Sequence, residues 1–165
     1  VDVDSNDPRL LTRAGSRLRF VDRTNSDSAG GTKDRGNSLI KHLRRNLLTG
    51  LPLEICELTD LVFLDLAFNK LTSLPQEMGK LIALNELHLN DNQLTTLPPE
   101  IGDLVELIDL FISNNRLIRV PETMGKMSSL ERLYLSDNLL TELPSEMDHL
   151  VSHDIVLLSG NPLSG

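Results

Sequence analysis

The chain has 165 residues, 39% of them apolar, with 35 leucines and no Trp, which is enough for one compact domain whose core leans on a single residue type. Sixteen Lys and Arg against 24 Asp and Glu leave a net charge of −8, the wrong sign for a general binder of nucleic-acid backbones or anionic membranes. No apolar run nears the roughly 20 residues that span a bilayer, so membrane insertion is not expected.

Residues 1–37 hold nine apolar residues, seven Lys and Arg and six Asp and Glu, with Ser, Asn, Gly and Asp crowded between Asn25 and Asn37. Such a segment can bury little and reads as a polar lead-in, flexible or serving as an N-terminal cap. Within it, the alternation Leu18-Arg19-Phe20 fits a weak edge strand. Gly31 and Gly36 have the spacing of a phosphate loop, but Asn37-Ser38 stands where Lys-Ser/Thr is required and no strand precedes it, so the match is chance. Residues 38–165 keep 9 basic and 18 acidic residues, so the acidity belongs to this second region.

From Ser38 the chain repeats. One copy reads Leu61-x-x-Leu64-x-Leu66-x-x-Asn69-x-Leu71-x-x-Leu74-Pro75-x-x-Met78-x-x-Leu81. Further copies start at Leu84, Leu107 and Leu130, each 23 residues after the last and without slip. A partial copy precedes them (Leu43, Asn46, Leu48, Leu51, Pro52, Ile55, Leu58), with Ser38 and Lys41 in its first two apolar positions. Another follows (Val156, Leu158, Asn161, Leu163), with His153 replacing its first leucine. This gives a repeat domain over 38–165 of about five and a half copies.

In each copy Leu-x-x-Leu-x-Leu places its last two leucines on one face of a short strand. The Asn turns the chain, and the Leu-Pro step opens a return segment, because Pro fixes φ and has no N–H to continue a strand. Apolar residues three apart, such as Ile101 and Leu104, then predict a short 3-10 or α turn. One coil cannot bury its own apolar face, so stacked coils must share a continuous leucine core. These tandem copies resemble leucine-rich repeats. The variant Leu97-Pro98-Pro99-Glu100-Ile101-Gly102-Asp103-Leu104 resembles the Ras-group intracellular leucine-rich repeat proteins, over about residues 39–163. The resemblance implies a right-handed α/β solenoid, with a parallel sheet on the concave side and short helical turns on the convex side. It also implies a binding role.

Catalytic and metal readings find little support. The asparagines Asn46, Asn69, Asn92, Asn115, Asn138 and Asn161 recur once per coil and read as structural amides that satisfy the turns. His42 and His88 should project from the concave sheet, with Asp65 one strand from His88 and Glu86 beside Asp109. A flat array of single carboxylates with one His does not converge on a zinc ion. His149 and His153 lie together near the C-terminal end without further ligands. Cys56 lacks a neighbouring base and reads as a small filler. No enzyme activity, cofactor or small-molecule substrate is expected.

The informative positions are the third, fifth, seventh and eighth of each copy, which should face the concave side. The only Tyr and three of the four Phe fall there: Phe63, Phe68, Phe111 and Tyr134. None is needed by the leucine core, and aromatic side chains in such places serve as interface anchors. The predicted protein-binding face is Phe63, Asp65, Phe68, Glu86, His88, Asp109, Phe111, Arg132, Tyr134 and Leu157. It should run from a basic end (His42, Arg44, Arg45) through an acidic middle (Asp65, Glu86, Asp91, Asp109) to an apolar end.

The expected function is a non-enzymatic interaction module or signalling scaffold with a protein partner. The family resemblance implies small GTPases or other signalling proteins as that partner. The alternative is a targeting or regulatory repeat domain of a larger signalling enzyme (a cyclase, kinase or GTPase), for which the abrupt end at Asn161-Pro162-Leu163-Ser164-Gly165 argues. A single cysteine, no Asn-x-Ser/Thr sequon and an acidic N-terminus unlike a secretory leader predict a cytoplasmic setting.

Overall fold

The computed structural model describes residues 39–151 and 156–164. Six short strands, β1 (Leu39–His42), β2 (Leu61–Asp65), β3 (Glu86–His88), β4 (Asp109–Phe111), β5 (Arg132–Tyr134) and β6 (Val156–Leu157), form one parallel sheet in sequence order. The register repeats the sequence period: Leu64 pairs with Leu87, Leu87 with Leu110, and Leu110 with Leu133. Parallel pairing needs a crossover, and each coil returns through a 3-10 turn opposite the sheet: Leu53–Glu57, Gln76–Lys80, Pro99–Asp103, Glu122–Lys126 and Ser145–Met147.

Proline sets each of those turns. Pro52, Pro75, Pro98, Pro121 and Pro144 sit at their N-terminal caps with φ between −59° and −72°. Each proline carbonyl then accepts from the apolar residue three positions on, as Pro98 does from Ile101 N–H at 3.0 Å. Between sheet and turns the leucines close into one core, with Leu64, Leu87, Leu110, Leu133, Ile101 and Met124 fully buried.

The expected asparagine amides are present and reach between coils. Asn115 Oδ1 accepts from Leu94 N–H at 3.0 Å, while Nδ2 donates to Leu89 O (2.9 Å) in the preceding coil and Ile112 O (3.1 Å) in its own. Asn69, Asn92, Asn138 and Asn161 repeat the pattern.

Three features were not read from the sequence. The residue before each asparagine is left-handed, with φ of 55–59° at Arg45, Phe68, Asp91, Asn114 and Asp137, and 72° at Gly160. The last return segment extends into an α-helical turn, α1 (Asp148–Val151). Finally, Gly102 and Gly125 lie where consecutive coils touch. A Cβ on Gly102 would fall 2.4 Å from Thr123 O, whereas one on Gly50 meets nothing within 4 Å. Gly102→Ala is therefore expected to force coils apart and cost about 1–3 kcal/mol, with Gly50→Ala near neutral. Thermal melts of the two variants check this; equal melting temperatures would mean that the coils pack less closely.

The first coil joins the sheet although Ser38 and Lys41 stand in its first two apolar positions. Lys41 occupies a leucine position yet is only 4% exposed, and β1 pairs with β2 through an irregularity between Leu39 and Ile40. The lead-in or cap over residues 1–37, including the strand expected at Leu18–Phe20, lies outside the described residues, as do His153 and Ile155.

Candidate protein-binding face

Because side chains alternate across a strand, the leucines of β2–β5 enter the core and the residues between them face the concave side. Two rows result. Phe63, Glu86, Asp109 and Arg132 pair in one, and His42, Asp65, His88, Phe111, Tyr134 and Leu157 in the other.

Rings from both rows join into a ladder. Centroids lie 5.0 Å apart for His42 and Phe63, 5.3 Å for Phe63 and His88, 4.6 Å for His88 and Phe111, and 4.9 Å for Phe111 and Tyr134. The last two contacts are edge-to-face, the arrangement that the ring quadrupole favours. At the strand ends the ladder borders an open cavity of about 300 Å³, lined by His88, Asn90, Phe111, Ser113, Asn114 and Tyr134. Phe111 and Tyr134 are half-buried, so their ring faces stay available.

The polar residues are matched internally, which changes the expected acidic middle. Asp109 is 6% exposed and forms a two-pronged fork with Arg132, whose Nε donates to Oδ1 at 2.6 Å and Nη2 to Oδ2 at 2.5 Å. The hydrogen bond and the charge of that carboxylate hold the Arg132 guanidinium still more firmly protonated. Asp65 is likewise 6% exposed; its Oδ1 accepts from Ala67 N–H at 3.0 Å, and Arg44 stands 3.9 Å away. His88 Nε2 donates to Glu86 Oε1 at 2.6 Å, since an ionised carboxylate only accepts. Asp91 accepts from Asn90 Nδ2 at 2.9 Å. Asp65 and Asp109 thus brace the sheet, and Glu86 and Asp91 carry the acidic character that the surface presents. Leu157 is well exposed at the far end.

Phe68 stands apart from the ladder. Its ring carries the Arg44 and Arg45 guanidinium carbons at 4.5 and 5.1 Å from its centroid. Asn90, Ser113 and Asn114 belong to the same surface yet were not among the predicted binding residues. The signal was available, because they fall at the same seventh and eighth positions, but ring and amide stacking across coils has no linear pattern.

Among the described residues, no group of three or more His, Cys, Asp and Glu is placed to hold a metal, and no helix is long and apolar enough to cross a membrane. His149 lies exposed on α1. Burial pushes the Cys56 thiol up to about 11, with Glu77 adding to the shift, so it is not an activated nucleophile.

A family model described as a leucine-rich repeat region matches residues 43–153. No curated protein matches. Among solved structures, a Leptospira interrogans leucine-rich repeat protein is 40% identical with a TM-score of 0.71, over 76% of this chain and 32% of that one. The BIR2 ectodomain from Arabidopsis thaliana is 29% identical with a TM-score of 0.64, over 76% of this chain and 68% of that one. Listeria monocytogenes InlP is 35% identical with a TM-score of 0.51, over 61% and 26%. The chain thus spans about a third of the length of the Leptospira protein.

Proposed function

This chain belongs to the leucine-rich repeat family, and from that premise we propose that it is a non-enzymatic interaction module that holds a protein partner on its concave face. Domains of this family commonly mediate protein–protein interaction and are typically not enzymes. The observation that carries the reading here is the ring ladder. Four contacts link five rings across five coils, on the side of the sheet away from the leucine core. Rings that the core does not use, lining an open cavity with amide and hydroxyl groups beside them, have the composition of interface anchors.

A scaffold role in signalling and a small GTPase or similar signalling protein as partner follow the Ras-group resemblance of the repeat. A cytoplasmic setting follows the unpaired Cys56 and the missing sequons. The fold itself does not choose a compartment, since one similar structure is an ectodomain. The alternative, a targeting domain of a larger signalling enzyme, is separated from this reading by the full-length transcript.

The test is Phe111→Ala combined with Tyr134→Ala. Truncating a ring anchor commonly costs 2 kcal/mol or more, roughly thirtyfold in affinity. Partner capture from native lysate should fall by at least that factor while melting changes little. Capture at wild-type strength would move the binding surface to the convex side or the loops. Loss of capture together with loss of the fold would mean that the rings serve the core.

A further inference from the structure

The basic end of the concave face has features that neither the leucine core nor the asparagine amides explain. Phe68 is 37% exposed and left-handed, with φ 57°, at a position where the following coils place Asp91, Asn114, Asp137 and Gly160. Gly, Asn and Asp accept that backbone readily and an aromatic residue does not. The turn therefore does not select Phe68. Its ring instead holds two like charges side by side, the Arg44 and Arg45 guanidiniums at 4.5 and 5.1 Å from its centroid. Arg44 comes no nearer than 3.9 Å to Asp65, whose Oδ1 already accepts from Ala67 N–H, and Arg45 forms no ion pair among the described residues.

We propose, resting on the concave-face reading above, that this end is a phosphate-recognition site and that the face takes an extended peptide segment of its partner, with a phosphorylated side chain at Arg44 and Arg45 and a large apolar side chain in the cavity bordered by His88, Phe111 and Tyr134. A phosphate ester carries about −1.5 to −2 charges and three acceptor oxygens, enough to engage two guanidinium forks, whereas a carboxylate offers one charge. Asp91, next along the same row, opposes a run of acidic residues, so a single concentrated anion fits better than an acidic stretch.

The spacing follows from the sheet. Arg45, Phe68, Asp91 and Asn114 share one register position at the ends of successive strands. The arginine pair is therefore three strand spacings from the middle of the cavity, about 14 Å. A peptide extended along that row covers it in about four residues at roughly 3.3 Å each. Asn90 and Ser113 line the cavity itself, and their side chains offer hydrogen bonds to the peptide backbone there.

The experiment is a selection on the immobilised full chain from a phosphoserine-centred peptide library with degenerate flanks and from its unphosphorylated twin. The phosphorylated library should be retained at least tenfold better, with Phe, Leu, Met or Trp enriched about four residues from the phosphoserine. Arg44→Ala with Arg45→Ala should remove that preference. So should Phe68→Asn, a change that leaves folding intact because Asn114 makes the same turn two coils on. Phe111→Ala with Tyr134→Ala should remove the apolar enrichment and spare the phosphate preference. Equal retention of both libraries, no retention of either, or a phosphate preference that survives both changes at the basic end overturns the proposal. Peptides selected without regard to phosphate yet lost on Phe111→Ala with Tyr134→Ala would overturn it while leaving the concave-face reading standing.

Discussion

Asn115→Leu is expected to lower stability by about 2–6 kcal/mol, because each buried polar group left unpaired costs about 1–3 kcal/mol and the amide serves at least two. Leucine nearly conserves the volume, so packing contributes little to the loss. What disappears is the bond from Leu94 N–H to Oδ1 and the bonds from Nδ2 to Leu89 O and Ile112 O. Two of those three reach into the preceding coil, so the change weakens the interface between coils and not only one turn. In a solenoid, stability is close to a sum of coil terms and nearest-neighbour terms. Unfolding of the variant should therefore lose cooperativity, with the coils before Asn115 and those after it separating in a denaturant titration. An unchanged or raised melting temperature would mean that the amide does not bond these buried groups.

Leu110→Ala is expected to cost about 2–5 kcal/mol, a large share of the 5–15 kcal/mol that a typical domain possesses. Leu110 is fully buried at the centre of β4, between Leu87 and Leu133 on the adjoining strands. Truncation removes its apolar contacts and leaves a void that the stacked backbones cannot easily close, since their spacing is fixed by the ladder on both sides. Calorimetric or denaturant unfolding measures the loss. A melt within a degree of wild type would mean that the strand register is wrong by one residue, which would turn Leu110 outward.

Leucine spacing made the fold legible because each coil repeats one geometric problem. Leu87, Leu110 and Leu133 must face inward in every copy, and the fixed offset of 23 residues predicts their pairing without any long-range guess. The same offset locates the concave rows and puts Phe111 and Tyr134 on neighbouring strands, where their rings meet at 4.9 Å. Other features depended on three-dimensional neighbours. The glycines at 79, 102 and 125 also recur every 23 residues, but only the distance from Gly102 to the Thr123 carbonyl shows why no Cβ fits. Asp65 and Asp109 were expected among the exposed acids, yet both are buried, because a side chain in the middle of a narrow sheet is covered by its partners. The fork between Arg132 and Asp109 needed side-chain reach from one coil to the next, which spacing alone does not specify. Phe68 was read as part of the aromatic face; its ring stands apart from the ladder, against the Arg44 and Arg45 guanidiniums, a contact that spacing does not specify.

Site-directed photo-cross-linking tests most directly whether a protein partner lies on the concave face. A benzophenone amino acid would replace Phe111 on β4 in one variant and the exposed Glu122 on the convex 3-10 turn in another, each with wild-type melting. Irradiation in native lysate should join one discrete partner band to the protein labelled at 111. That band should be absent from the protein labelled at 122 and competed away by unlabelled wild type. The same competed band from position 122, with none from 111, would contradict a concave binding face.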